Sequence, residues 1–130
     1  MIYTSYFAVM NKLPANIKKL SITRWKPKWF YGYNSSKLAP RAEALSEYKK
    51  TNDWKVFEKR YKEQVLDNLT IKEFKDYISN KLNADLDKED VVLLCYERSD
   101  CNCHRHILRE WLNNKGVKCE EFNFNKENME

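Results

Sequence analysis

The amino-acid sequence predicts a small single-domain α/β protein, with a mainly parallel sheet of about four strands flanked by helices. Three observations carry that expectation. Residues 91–95, VVLLC, form an unbroken apolar run of strand length, the pattern of a strand buried on both faces. A helix-period stretch and another short strand follow at once, so residues 91–124 read as a strand-loop-helix-strand unit whose crossover implies parallel strands. Finally, 130 residues, 42% hydrophobic and 33% charged, suit one core better than two domains or a disordered chain.

The elements follow in order. MIYTSYFA opens with β-branched and aromatic residues, so Ile2 to Tyr6 is expected as a strand. After Pro14 and Asn16, Leu20, Ile22 and Thr23 mark a second strand ending near Arg24. KPKWFYGYNSSKLAP, with its prolines, glycine and Asn-Ser-Ser cluster, is expected as a long irregular loop that is basic and aromatic. Pro40 can open a helix through Lys50, with Leu45 and Tyr48 three apart. Asp53 is placed to cap a second helix carrying Val56, Tyr61, Val65, Leu66 and Leu69. Thr70 and Glu73 have capping-box spacing ahead of the stripe Phe74, Ile78 and Leu82. The last helix carries Cys103, Ile107 and Trp111 on one row, His104, Leu108 and Leu112 on the next, and closes at Gly116. VKCEEFNF is expected as a last strand with Val117, Cys119 and one of Phe122 and Phe124 inward.

The net charge is +5 but uneven: residues 1–64 hold 14 Lys and Arg against 5 Asp and Glu, and residues 65–130 hold 10 against 14. A basic N-terminal half suits an anionic partner, although solvated lysine surfaces are common. No run of about 18 apolar residues occurs, and the N-terminal residues lack the basic lead and cleavage site of a signal peptide. A cytoplasmic protein without a membrane partner is therefore expected. In that compartment its four cysteines are expected as thiols rather than disulfides.

Ligands of open parallel sheets bind beyond the carboxyl ends of the strands. Those ends hold Thr4, Ser5, Tyr6, Arg24, Cys95 and Glu97, and the helix start adds Cys103, His104 and Arg105. A helix N-terminus carries partial positive charge and normally attracts acids, so CHRH at that position implies an anion from elsewhere. Thr4, Ser5, Tyr6, Arg24, Cys95, Glu97 and Arg105 are the candidate ligand-binding residues. Cys103 is the candidate nucleophile and His104 its acid or base, because a thiolate is favoured at a helix start beside imidazole or guanidinium. The competing reading makes Cys95 and Cys103 small buried hydrophobes, and His104 a structural donor. Cys95, Cys101, Cys103, His104, His106 and Cys119 offer enough ligands for zinc, but their spacing lacks the usual two separated pairs. Neither a metal nor a cofactor is expected.

These blocks have a family likeness. LLCYER followed by CHRHILREWL, with YTSYFA, SITRWKPKWF, LAP at 38–40 and YKK at 48–50 in the same order, resembles the Domain of Unknown Function 488 family over nearly the whole chain. That resemblance implies a small α/β fold and singles out Arg24, Cys95, Glu97, Cys103, His104 and Arg105. It implies no established reaction, and Cys101 and Asn102 look particular to this chain.

Three functions are expected to compete. The first is binding of a phosphate-bearing ligand, a nucleotide or nucleic-acid end, at the Arg24/Cys103/His104/Arg105 edge. The second is a nucleic-acid-binding accessory role for the loop RWKPKWFYGY at 24–33, with rings that stack bases and lysines that neutralise phosphate. The third is a non-catalytic inhibitor or ligand-sequestering protein.

Overall fold

The computed structural model describes residues 1–124. Five parallel strands, β1 (Ile2–Tyr6), β2 (Lys18–Ser21), β3 (Tyr33–Asn34), β4 (Val91–Cys95) and β5 (Cys119–Glu121), form one sheet in the order β3-β2-β4-β1-β5. β4 lies inside the sheet with all five of its residues buried, as its unbroken apolar run predicts. The α-helices are α1 (Ala42–Thr51), α2 (Trp54–Gln64), α3 (Ile71–Leu82) and α4 (His104–Asn114).

Local chemistry explains the boundaries. The Asp53 side chain accepts from the Val56 amide and starts α2, while Thr70 and Glu73 form a complete capping box on α3. α1 and α3 end on Asn52 and Asn83 in left-handed conformation, and Gly116 takes φ 84° just past α4. Arg41 rather than Pro40 is the N-cap of α1. Two expectations need correction. β2 stops at Ser21, three residues short of Arg24, although the Ile22 amide still donates to the Leu94 carbonyl. The stretch read as wholly irregular contains β3, which pairs Tyr33 with Leu20 and Asn34 with Ser21.

The chain moves one way across the sheet from β1 to β2, and the other way from β3 to β4 and from β4 to β5. Right-handed crossovers then put these connections on opposite faces. One face packs Ile2, Leu20, Val91, Leu93 and Cys95 against the four α-helices. The other packs Val92 and Leu94 against Phe7, Leu13, Ile17, Phe30 and Phe122, with residues 7–12 forming a 3-10 turn. Among the described residues no helix is long and apolar enough to cross a membrane.

Candidate functional site

The carboxyl ends of β2 and β4 and the start of α4 meet on the helical face. Between them and α1–α2 lies a cavity of about 380 Å³. Cys95, Cys103 and His104 contribute to its lining, with Thr23 and Arg24 from the end of β2 and Tyr96 and Glu97 from the end of β4. Tyr48, Trp54 and Phe57 form an aromatic wall, with Trp54 and Phe57 stacked at 5.1 Å. A larger depression of about 610 Å³ lies beside residues 75–89, at the amino ends of the strands. It carries none of the Cys, His or Arg groups above.

Cys103 is the N-cap of α4 and makes no side-chain capping bond. Because Cys95 ends the neighbouring strand on the helical face, the two sulfurs meet, and the structure joins them as a disulfide whose Cα atoms are 7.7 Å apart. The expectation of free thiols is corrected for this pair: the strand end and helix start bring together residues eight apart in sequence. Cys101 and Cys119 remain free. Burial raises the Cys119 thiol to about 12, which keeps it protonated and unreactive.

The His104 ring is buried, and its Nε2 lies 2.6 Å from the Ile22 carbonyl oxygen, to which it donates. Burial pushes this imidazole down to about 4, outweighing that carbonyl's opposing pull, so the ring is neutral. With Nε2 holding the proton, Nδ1 presents its lone pair 3.9 Å from the Cys103 sulfur. The Tyr61 ring packs edge-on against His104, and its hydroxyl donates to the Leu38 carbonyl at 2.7 Å.

Arg105 is 0% exposed and lies outside the cavity lining. Its Nε and Nη2 donate to the two carboxylate oxygens of Glu121 at 3.1 and 2.8 Å. Its Nη1 donates to the Glu97 carbonyl at 2.6 Å and to the Cys95 sulfur at 3.1 Å. The backbone of Glu97, rather than its exposed carboxylate, therefore holds this arginine. Glu121 also accepts from Thr4 Oγ1 and Ser99 Oγ, and Arg109 Nη1 lies 3.5 Å from it. The cationic helix start thus meets an internal anion, whose single carboxylate pairs with both Arg105 and Arg109 and offsets one of their two positive charges. Burial, followed by the two neighbouring arginines, lowers the His106 imidazole.

Of the residues singled out in the sequence, Arg24, Cys95, Glu97, Cys103 and His104 line one cavity. Thr4 joins the Glu121 network beside it, and Tyr6 lies with its ring 5.5 Å from the Arg105 guanidinium. Ser5 is paired in register with Leu94 and so faces the opposite layer. Arg24 binds the Pro40 and Ser36 carbonyls at 3.0 and 3.3 Å, fixing the loop at the cavity mouth. Glu121 is the residue that sequence reasoning missed. Its signal was period-two alternation, which puts it on the same face as Cys119. The wall residues Tyr48, Trp54 and Phe57 sit where helical periodicity reads simply as core.

The fold is a parallel α/β sheet with cysteine, histidine and arginine side chains gathered at its strand ends. The family model described as DUF488-N3a, Active DUF488-N3 subclade, matches residues 6–116, and the chain belongs to this family. No curated protein and no solved structure matches the chain.

Proposed function

We propose that the cavity binds a planar ligand carrying an anionic group, a nucleotide or the end of a nucleic acid being the class that fits. The observation behind this reading is the cavity's division of labour. Aromatic side chains from Trp25, Tyr48, Trp54 and Phe57 line it, Arg24 and Lys49 supply positive charge, and Cys95, Cys103 and His104 complete it. Flat rings gain from stacking on aromatic faces, and a phosphate gains charge-assisted bonds from guanidinium or ammonium. Arg105 supports this site from behind, through Cys95, and the anion falls to Arg24 and Lys49. In this proposal Cys103, once its bridge to Cys95 is reduced, and His104 are the groups through which catalysis on the bound ligand would run.

Calorimetric titration of the full chain with nucleoside monophosphates, the matching nucleosides and inorganic phosphate tests the reading. At least one nucleotide should bind, its nucleoside more weakly, and Arg24→Gln should weaken it about 10-fold or more, the value of a hydrogen bond to a charged group. Absence of heat with every nucleotide, or equal affinity for nucleotide and nucleoside, would refute it.

A second reading has its own support. The exposed large hydrophobic side chains among the described residues are Trp25, Trp29, Tyr31, Tyr33 and Tyr96. Four lie within 24–33, and the Tyr96 hydroxyl donates to the Trp25 carbonyl at 2.6 Å. Only Phe30 of the loop's aromatic rings is buried, packing against Phe7 at 5.4 Å. Exposed rings in a segment that also carries Lys28 suit stacking of single-stranded bases. Oligonucleotide binding that weakens with salt, and weakens further in the Trp29→Ala/Tyr31→Ala double variant, is the expected result; binding indifferent to both would remove this reading.

A further inference from the structure

We propose that Cys95, Cys103 and His104 in the reduced protein form a binding site for a thiophilic divalent metal such as zinc, with one coordination position open to the cavity. The two sulfurs and a ring nitrogen of His104 all lie within 4.8 Å of one another, and all three residues are buried. Tetrahedral zinc with two Cys and one His holds its ligand atoms about 3.6 to 3.8 Å apart, from bonds of about 2.3 Å to sulfur and about 2.0 Å to nitrogen. The 3.9 Å between Cys103 Sγ and His104 Nδ1 is within a few tenths of an ångström of that edge. The 7.7 Å between the Cα atoms of the cysteines leaves room for an ion between their sulfurs once they are reduced.

Two surrounding contacts are those that a metal site requires. The Ile22 carbonyl holds His104 Nε2, which fixes the ring and aims Nδ1 at the sulfurs, as the outer partners of a metal-bound imidazole do. The Arg105 Nη1 donates to the Cys95 sulfur and stabilises it as a thiolate. Three protein ligands at a cavity leave the fourth position for water or ligand, the arrangement of a catalytic rather than a structural zinc. The spacing rule misses this set because the ligands come from a strand end and the next helix start, eight and nine residues apart, instead of from two short knuckles.

The disulfide form is the metal-free form. A phosphine reductant transfers two electrons to the disulfide and takes oxygen from one water to become phosphine oxide. The two protons of that water complete the two thiols. Binding of M²⁺ then releases both thiol protons to solvent and leaves two thiolates and a neutral imidazole on the metal.

The test uses the full chain, reduced with phosphine under anaerobic conditions and titrated with Co²⁺. One equivalent should produce the visible bands of tetrahedral cobalt and a thiolate-to-metal charge-transfer band, both erased by Zn²⁺. Cys95→Ser, Cys103→Ser and His104→Ala should each lose or alter the spectrum, whereas Cys101→Ser should keep it. Because a cysteine variant can fail to fold, the wild-type chain supplies a second readout: Zn²⁺ should protect Cys95 and Cys103, located by peptide mass, from iodoacetamide. No cobalt spectrum with no zinc protection would overturn the proposal, as would a spectrum that depends on Cys101. Neither assay contains a nucleotide, so this outcome is independent of the proposed organic ligand.

Discussion

Glu121→Gln removes the carboxylate that sits between Arg105 and Arg109 and leaves a guanidinium that is 0% exposed without its counter-ion. Removing one member of a buried pair costs about 3 to 5 kcal/mol, because the remaining charge is stranded in low dielectric. Gln retains one acceptor for Thr4 or Arg105, which places the expected loss near the lower end, at about 3 kcal/mol. At roughly 2.1 cal/mol/K of unfolding entropy per residue, a chain of 130 residues should then melt about 10 °C lower. Calorimetry or a circular dichroism melt reads this directly. The Arg105→Met/Glu121→Met double variant removes both charges and should recover at least about 1 kcal/mol relative to Glu121→Gln. A Glu121→Gln melting point within about 3 °C of wild type, roughly 1 kcal/mol, would refute the reasoning. So would a double variant that loses the full sum of its singles.

The same carboxylate sets an acid limit. Burial raises the Glu121 carboxyl, but hydrogen bonds from Arg105, Ser99 and Thr4 together outweigh it and hold the group below its ordinary value. Its contribution to stability is therefore complete above the unfolded carboxylate value of about 4.3 and is lost as pH falls through the lowered folded value; in Glu121→Gln this acid-side decline should flatten. Without reductant, iodoacetamide should label the half-buried Cys101 and spare Cys95 and Cys103, whose bridge leaves no thiol; peptide mass mapping reads the pattern, and labelling of Cys103 would disprove the bridge. Tyr61→Phe strips the donor from the buried Leu38 carbonyl and should lower stability by about 1 to 3 kcal/mol in a denaturant titration, with a loss under about 0.5 kcal/mol counting against that bond.

What the sequence made legible was whatever rests on local chemistry. The Thr70–Glu73 box, the Asp53 cap, the turn at Gly116 and the fully buried β4 are written in neighbouring residues, and the structure reproduces each. β3 was hidden because a two-residue strand exists only through its pairing with Leu20 and Ser21, a partner choice no short window encodes. The site divides in the same way. Arg24, Cys95, Glu97, Cys103 and His104 could be gathered from topology, since strand ends and a helix start define one edge. The fate of Arg105 could not, because it depends on Glu121, sixteen residues away and across a helix. The meeting of Cys95 with Cys103 was equally invisible, since it depends on how closely α4 begins above the end of β4.

The sheet's margins have a consequence for how the molecule behaves in crowded solution. An unpaired strand edge offers amide and carbonyl groups to any passing extended chain, and long edges of this kind seed open-ended stacking. Here one margin is β3, two residues long, and the other is β5, three residues long with the exposed Glu120 in its centre and Lys118 just before it. The longer strands β1 and β4 are paired on both sides and present no free edge. A stray strand arriving at either margin finds only a few backbone groups to grip and, at β5, charged side chains to desolvate. The protein can thus keep a hydrophobic parallel sheet at its centre without turning it into a template for aggregation.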